Sequence, residues 1–356
     1  MHLINHAPAN FIIIDGKKYD FFSGTSYLGL NQNPVFGKLL KEGLDEYGFC
    51  FGSSRNGNLQ LEIYQEAEQK LAAFAHAPAA LTTSSGMLAG QVVINYLRQT
   101  PVEWFYAPHT HSALWHSPVI EIPKISFQAW AEQICQNISN SAAAHCVICC
   151  NSVDALQLNA YHFEWTNDLP TNKNITLIID DSHGLGITGE NGEGIYSKIK
   201  VADNVQFVVV SSLHKAMGIA GGVVMADADF LSKIRASAYF ASCSPIAPAY
   251  LYAFAKSENL YADLFQRLRQ NIHHFIDEVA QYQLFRYQEN YPVLWTNEDA
   301  LYPFLLEQGI FIYSFAYPIQ TGKPNTRIVL SAWHDTAQIE KLIKAIGLFF
   351  NSIPKP

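Results

Sequence analysis

Between about residue 80 and residue 235 the chain alternates short apolar runs with amphipathic stretches, and this alternation constrains the fold more than any other feature. The apolar runs are EWFYA, HCVICC, NITLIID, VQFVVVSS and GGVVMAD. Runs of this length and composition are typical of buried β-strands. Strands that alternate with helices form parallel sheets covered by helices on both faces. We therefore predict an α/β fold with a mostly parallel sheet.

The length of the chain, 356 residues, is sufficient for two domains. We expect residues 41–238 to form a large domain. After Pro248 the sequence changes to long helical stretches and then short strands, so residues 239–356 are expected to form a smaller C-terminal α/β domain. Residues 1–40 are too few for a separate unit, and we expect this segment to pack with the small domain or across a subunit boundary.

Charge and hydropathy argue against several classes of protein. The net charge of -8 is spread along the chain without a Lys/Arg-rich run, so nucleic acid is not an expected partner. Residues 236–255 are uncharged, but their serines, tyrosines and prolines argue against a membrane span. The N-terminus does not resemble a signal peptide, so a cytoplasmic protein with free thiols is expected. No second ligand pair accompanies the C-x-x-C of CVICC, and no metal site is predicted.

Polar residues that directly follow the apolar runs are candidates for function, because parallel sheets bind ligands beyond the carboxyl ends of their strands. In LIIDDSHG, Asp180 ends a strand and His183 follows it. In VVVSSLHKAMGIAGG, Lys215 follows a strand and a serine pair. In LTTSSGMLAG, Ser85 and Gly86 precede a helical stretch whose unpaired N–H groups could receive a phosphate. Together these segments supply an amine, an acid and a phosphate site.

The order of these motifs resembles the α-oxoamine synthases. The chain contains SSG, then H-S, then DDSHGLG and finally SLHKAMGIAGG, and the likeness extends from TSYLGL at 25–30 to LSAWH at 330–334. These synthases are fold-type I enzymes that use pyridoxal 5'-phosphate (PLP) to condense an amino acid with an acyl-CoA. The resemblance therefore implies a PLP cofactor and a fold-type I architecture.

The resemblance implies a role for each matching residue around the cofactor ring. Lys215 matches the lysine that holds PLP as a Schiff base, and Asp180 matches the acid that pairs with the pyridine nitrogen. His183 matches the histidine that hydrogen-bonds the phenolic oxygen. His111 is similar to the histidine that stacks on the ring, and His109 is its rival. A surface lysine, a helix-capping aspartate and a structural histidine are the alternative interpretations of the first three residues.

A second group of residues matches the phosphate site. Ser85, Gly86 and Met87 correspond to the loop around the phosphate, and Ser212 takes the place of a phosphate-binding threonine. Ser242 in FASCSP is similar to a threonine that reaches across the dimer. The resemblance thus implies a homodimer whose active sites use residues of both chains. The alternative for the serines before the helix is simple helix capping.

Arg327 in TRIVLSAWH aligns with the arginine that binds the α-carboxylate of the amino acid, a task that suits a planar bidentate donor. Its alternative is an ordinary ion pair. The resemblance implies a PLP-dependent transferase that condenses an amino acid with an acyl-CoA. An aminotransferase, or another enzyme of the α-carbon that does not use CoA, would need the same residues. A catalytically weak PLP-binding or scaffold homologue is the third interpretation.

The chain departs from the family pattern around the substrate rather than around the cofactor. The family's H-x-x-L-E is YQEAE here, at residues 64–68, and its S-M-D-G-D segment is ALQLN, at residues 155–159. The glutamate that precedes that segment is replaced by Asn151. We therefore expect the cofactor site to be retained, while the sequence leaves the amino acid and the acyl donor undetermined.

Overall fold

A computed structural model describes residues 2–316 and 322–353, and contacts divide them into two compact units. The large unit comprises residues 34–154 and 160–258. The small unit comprises residues 2–33, residues 155–159 and the described part of residues 259–353. The domain boundaries at 40/41 and 238/239 stay predictions. Met1 and residues 354–356, at the ends of the predicted domains, lie outside the described residues.

The described residues contain twelve strands and ten α-helices. The strands are β1 (Phe11–Ile14), β2 (Lys17–Phe22), β3 (Ala79–Thr83), β4 (Glu103–Tyr106), β5 (His145–Asn151), β6 (Asn174–Asp180), β7 (Val205–Ser212), β8 (Gly222–Ala226), β9 (Arg286–Tyr287), β10 (Val293–Thr296), β11 (Ile310–Phe315) and β12 (Asn325–Val329). The helices are α1 (Pro34–Tyr47), α2 (Glu62–Phe74), α3 (Gly86–Leu97), α4 (Phe127–Asn140), α5 (Ala228–Ala236), α6 (Ala238–Ala241), α7 (Pro248–Ala255), α8 (Glu258–Val279), α9 (Leu301–Glu307) and α10 (Thr336–Ser352).

The sheet of the large unit has the strand order β3-β8-β7-β6-β5-β4. Strands β4 to β7 run parallel to one another, whereas β8 is antiparallel to both of its neighbours. The central strands β5, β6 and β7 are buried at nearly every position, which is typical of parallel strands with both faces covered. The predicted mostly parallel α/β sheet is confirmed.

The parallel register aligns polar residues along one edge of this sheet. Asn151 ends β5, Asp180 ends β6 and Ser212 ends β7. Asn151 lies opposite Asp180 in the pairing of β5 with β6. Because carboxyl ends of parallel strands meet at the same edge, these side chains and the turns that follow them share one region of the large unit.

Helices of the large unit pack on this sheet through apolar faces. Helix α2 buries Ile63, Ala67 and Leu71 on one side and contacts β3. Helix α3 contacts β7 and β8. The uncharged residues 236–255 form α6 and α7 with a turn between them. Among residues 2–316 and 322–353, none of the helices combines the length and apolar character needed to cross a bilayer.

The small unit is built around a second sheet, with the strand order β1-β2-β11-β12-β10-β9. Only the pairing of β2 with β11 is parallel among these described strands. Helix α10 begins with a capping box in which Asp335 and Gln338 bond each other's backbone N–H groups. The Gln338 amide also donates to the Asn10 carbonyl at 2.8 Å and to Asp20 at 2.9 Å, so it joins both ends of the chain.

Candidate active site

Lys215 lies in a tightly bonded turn between β7 and β8. The Leu213 N–H donates to the Gly221 carbonyl at 2.9 Å, and the Ile219 N–H donates to the Leu213 carbonyl at 3.0 Å. The Gly218 N–H donates to the Lys215 carbonyl at 3.3 Å, and the φ angle of Gly218, +67°, is in the left-handed region that favours glycine. The turn therefore fixes the backbone from which the Lys215 amine projects.

The surroundings of Lys215 favour its neutral form. The residue is half-buried. Burial lowers the pKa of Lys215, and the negative charge of Asp180 opposes this shift. A lysine whose pKa is lowered has a larger fraction of free amine at neutral pH, which is the form that attacks a carbonyl group.

Asp180 is the last residue of β6 and is 8% exposed. Its Oδ1 accepts a hydrogen bond from the Ser182 N–H at 2.9 Å, which closes the turn after the strand. Its Oδ2 lies 3.8 Å from Nδ1 of His111. The carboxylate therefore belongs to a turn rather than to the start of a helix, and it faces both an imidazole and the charge of Lys215.

The structure brings His111, rather than His109, to Asp180. The Ala113 N–H donates to Nδ1 of His111 at 3.2 Å, so the proton of a neutral ring lies on Nε2. Burial lowers the pKa of His111; Asp180 opposes this shift and Lys215 adds to it. These effects favour a neutral imidazole. His109 is exposed, with a left-handed φ of +60°, and His183 is half-buried in the turn after Asp180.

Asn151 holds the backbone on both sides of Thr110, directly before the candidate stacking histidine, and the family motifs do not predict this role. Its Oδ1 accepts from the His111 N–H at 3.1 Å, and its Nδ2 donates to the His109 carbonyl at 2.7 Å. The buried Thr110 lies between these two bonds and donates its hydroxyl to Ala107 and Cys149 carbonyls. A polar residue at the end of the HCVICC run was the available signal for this role.

The candidate phosphate site lies where α3 begins. The Ser85 hydroxyl accepts from the Leu88 N–H at 3.1 Å, so Ser85 caps the helix as the alternative interpretation predicts. The N–H groups of Gly86 and Met87 have no partner inside the helix, because they belong to its first turn. Ser212 N–H donates to the Ser182 hydroxyl at 2.8 Å, which ties the ends of β6 and β7.

Two glycines allow these segments to approach each other. A Cβ atom on Gly86 would lie 2.5 Å from Cβ of Ser212, and one on Gly222 would lie 2.3 Å from the Ser85 carbonyl oxygen. Both distances are too short for any side chain to fit. The structure therefore brings Ser85, Gly86 and Ser212 together, with Met87 half exposed beside them at 48%.

A buried ion pair is hydrogen-bonded to β3, the strand that leads into this loop. Both terminal nitrogens of Arg55 lie 3.0 Å from the two carboxylate oxygens of Glu68. Oε1 of Glu68 also accepts from the N–H and the hydroxyl of Thr82, each at 2.8 Å. The Arg55 guanidinium lies 4.0 Å from the centre of the Tyr64 ring. No local pattern predicts this network, because Arg55 lies in the loop before α2 and Glu68 lies within that helix.

Two predicted residues have no described hydrogen bond to this group. Ser242 is at the C-terminal end of α6, and its hydroxyl donates to the Ala238 carbonyl at 2.8 Å. Arg327 belongs to β12 of the small unit and is 9% exposed. Arg327 forms no ion pair with any residue in 2–316 or 322–353, which argues against its alternative interpretation.

An open cavity of about 740 Å³ lies elsewhere in the large unit. Its lining includes His145, Asn174 and Val205, which are the first residues of β5, β6 and β7. This cavity therefore opens at the amino ends of the parallel strands. Ligands of parallel α/β sheets bind at the carboxyl ends, where Lys215 and Asp180 lie, so we assign the candidate active site to that edge.

The chemical groups at the carboxyl edge are of the types that bind PLP. Lys215 provides an amine for the aldehyde, Asp180 provides a carboxylate for the pyridine nitrogen, and His111 provides a neutral ring for stacking. The N-terminus of α3 with Ser212 provides N–H and hydroxyl donors for a phosphate. The close approach of Gly86 to Ser212 carries this fit, because a side chain at residue 86 would push the phosphate loop away from β7.

Residues 22–346 match the family described as aminotransferase class I and II. An 8-amino-7-oxononanoate synthase of Saccharophagus degradans is 26% identical over 347 residues, which cover 93% of this chain and 87% of that protein. A serine palmitoyltransferase from S. paucimobilis, solved with bound PLP and myriocin, has a TM-score of 0.82 and 18% identity, covering 99% of this chain and 94% of that chain. An 8-amino-7-oxononanoate synthase from Francisella tularensis has a TM-score of 0.71 and 22% identity, covering 94% and 98%.

These similarities confirm the predicted fold-type I architecture of PLP-dependent transferases. They also confirm the resemblance to the α-oxoamine synthases, to which both named enzymes belong. The family match begins at the last residue of β2, ends within α10 and includes every strand from β3 to β12. This chain belongs to the aminotransferase class I and II family.

Proposed function

We propose that this protein is a PLP-dependent acyltransferase that condenses an amino acid with an acyl-CoA. The observation that carries the proposal is the grouping of Lys215, Asp180 and His111 at the carboxyl edge of the large sheet. The similarity to 8-amino-7-oxononanoate synthase and to a serine palmitoyltransferase with bound PLP supports it. In the reaction, the α-carbon of the amino acid would lose a proton or its carboxylate and use that electron pair to attack the thioester carbonyl, and the C–S bond would break to release free CoA.

Bound PLP supplies an electron-accepting ring that stabilises negative charge at the α-carbon of the amino acid. Lys215 would hold the cofactor covalently and would move a proton at that carbon, and its lowered pKa suits both tasks. Asp180 stabilises a proton on the pyridine nitrogen, because a carboxylate favours the cationic ring. His111 would stack on the ring face, and His183 would hydrogen-bond the phenolic oxygen.

The remaining predicted residues would bind the phosphate of the cofactor and the carboxylate of the amino acid. Ser85, Gly86, Met87 and Ser212 hold the phosphate, with the first N–H groups of α3 as additional donors. Arg327 binds the carboxylate of the amino acid through its planar guanidinium. This carboxylate site is proposed from the motif TRIVLSAWH.

We also propose a cytoplasmic homodimer in which Ser242 of the partner subunit completes the phosphate site. Two large apolar side chains of the large unit are exposed, Phe49 at 85% and Leu59 at 66%. Their exposure supports the proposal that a second copy of the chain covers this surface. Burying such side chains against a second copy would remove apolar surface from water.

The first test measures release of free thiol. The purified protein is incubated with each of the common amino acids together with acyl-CoAs of short, medium and long chains. We expect one combination to release CoA, and we expect Lys215→Ala to reduce the rate to background, at least 10³-fold, because the covalent attachment and the proton transfer are both lost. Lys41→Ala, which changes an exposed lysine of α1, is the matched control and should retain the rate.

Absence of thiol release in every combination would contradict the acyltransferase proposal. Conversion of the cofactor to its pyridoxamine form by an amino acid alone would indicate an aminotransferase. A cofactor absorption spectrum that no amino acid changes would favour the binding or scaffold protein.

A further inference from the structure

Five consecutive carbonyl groups, those of residues 155–159, accept hydrogen bonds from side chains of the small sheet and its immediate extension. We call this segment the strap. The donors are Arg327 Nη1 to Ala155, Asn325 Nδ2 to Leu156 at 3.0 Å, Arg286 Nη1 to Gln157 at 3.3 Å, and Gln288 Nε2 to Leu158 at 3.4 Å and to Asn159 at 3.0 Å.

The small unit imposes the conformation of the strap. Residues 155–159 belong to the small unit, although residues 34–154 and 160–258 belong to the large unit. Leu158 has a φ of +58° and is 2% exposed. A leucine rarely adopts this left-handed conformation, and it persists only where its surroundings determine the backbone. The strap is therefore held by its contacts rather than by its own conformational preference.

The strap fixes one part of the Arg327 guanidinium. Nη1 donates to the Ala155 carbonyl, and the guanidinium carbon lies 3.9 Å from the centre of the Tyr313 ring. Nε of Arg327 is buried and has no hydrogen-bond partner within residues 2–316 and 322–353. A guanidinium can bind a carboxylate through Nη1 and Nη2 or through Nε and Nη2. Because Nη1 already donates to the Ala155 carbonyl, the edge formed by Nε and Nη2 is the one left for a carboxylate.

We propose that the strap and Tyr313 position Arg327 so that Nε and Nη2 bind the carboxylate of the amino acid side-on. This inference rests on the proposed function, in which Arg327 is the carboxylate-binding residue. An arginine that is already ordered loses little rotamer freedom when the substrate binds. A buried N–H donor without a partner also gains a strong acceptor, because hydrogen bonds to a charged group are the most favourable.

Arg286 and Gln288 are consequently positioning residues that hold the strap, and the Arg286 guanidinium also lies 4.8 Å from the centre of the Trp295 ring, on the cross-strand neighbour of Arg327. Arg286 lies on the edge strand β9 and is exposed, and Gln288 follows it. Replacing both by alanine removes the donors to Gln157, Leu158 and Asn159 and leaves Arg327 itself unchanged. Because these side chains are not part of the apolar core, the variant is expected to fold.

The experiment compares acids with their amides on the PLP-loaded enzyme. The probes are glycine, L-alanine and L-serine, each with its carboxamide, and the change in cofactor absorption gives Kd. In Arg286→Ala/Gln288→Ala we expect Kd for the bound amino acid to rise about tenfold, on the order of one charge-assisted hydrogen bond, and Kd for its carboxamide to stay unchanged. With the acyl-CoA, KM for the amino acid should rise while kcat stays within about twofold.

Three further variants complete the design. Tyr313→Leu removes the ring beneath the guanidinium and should also weaken the acid selectively. Arg286→Lys with Gln288 retained keeps most of the strap donors and should restore Kd to within about twofold of wild type. The control is Gln281→Ala, which removes a similar side-chain bond, at 2.8 Å, to the Glu278 carbonyl in the same unit.

An equal rise of Kd for acid and amide, or no change for either, would overturn the inference while leaving the proposed function intact. A wild-type enzyme whose cofactor spectrum responds to no amino acid would instead overturn the proposed function, and the inference with it. Measurement of the wild type alone separates these two failures.

Discussion

Asp181 is a buried carboxylic acid beside Asp180 that no predicted role explains. It is 1% exposed, and its Oδ2 accepts from the Ile195 N–H at 2.9 Å. A Cβ atom on Gly184 would lie 2.0 Å from Oδ1, and one on Gly194 would lie 2.2 Å from Oδ2, so the loop after β6 closes around this group. Burial raises the pKa of Asp181 to about 7, although the hydrogen bond from the Ile195 N–H opposes the shift.

This shift predicts a pH-dependent contribution to stability. The folded state binds the Asp181 proton more tightly than the unfolded chain does, so the contribution is present below the ordinary value of 3.8 and is lost as the pH rises to about 7. Asp181→Asn removes the costly charged form. We expect the free energy of unfolding in urea to exceed that of wild type by more at pH 8 than at pH 5.

The control is Asp203→Asn, which changes an exposed residue and should give the same small difference at both pH values. If the free energies of unfolding of Asp181→Asn and wild type differed by the same amount at pH 5 and pH 8, the predicted cost of a buried charge at Asp181 would be contradicted.

Among the secondary-structure elements, α2 and β3 depend on the pairing of Arg55 with Glu68. The pair is 4% and 11% exposed in its side chains, and it joins the loop before α2, the helix itself and the strand that leads to the phosphate loop. Removing one charge of a buried pair leaves the other without compensation, which is more costly than removing an exposed pair.

Glu68→Gln is therefore expected to lower the free energy of unfolding by about 3–5 kcal/mol, because the charge of Arg55 stays buried without its partner. Urea denaturation gives the value directly. Glu66→Gln on the same helix is the matched control, since Glu66 pairs with Lys70 at 3.4 Å on the exposed side. Its effect should be below about 1 kcal/mol. Similar losses in the two variants would show that burial does not matter here.

The sequence predicts the elements better than it predicts their supporting contacts. The runs that became β4 to β8 have local patterns, and the helix at α2 has an apolar stripe, so both can be recognised within a short window. Lys215 and Asp180 follow strands and belong to motifs. Asn151, the pair Arg55–Glu68 and the strap have no such local signal, because their partners are selected only when distant segments pack.

For the whole molecule, the proposed shared site predicts complementation between two defective chains. A hybrid dimer of Lys215→Ala and Ser242→Ala chains has one site with both changes and one site with neither, if Ser242 acts in the partner's site. We expect such a hybrid to recover about half of the wild-type rate of thiol release per dimer, because one of its two sites is intact. Differently tagged chains allow the hybrid to be purified.

The homodimers of each variant are the controls, and the Ser242→Ala homodimer should bind PLP more weakly than wild type. If Ser242 acts within its own chain, each site of the hybrid carries one defect and no intact site forms. The hybrid rate would then stay near the mean of the two homodimers.

The parallel pairing of β2 with β11 also determines when the small unit can assemble during synthesis. Strands β1 and β2 leave the ribosome before the other described strands, and β11, which pairs with β2, follows about 290 residues later. Until β11 emerges, one side of β2 presents unpaired backbone groups, which are prone to pair with other chains. The large unit, whose residues emerge in between, can fold earlier, and the first two strands must stay unaggregated throughout that interval.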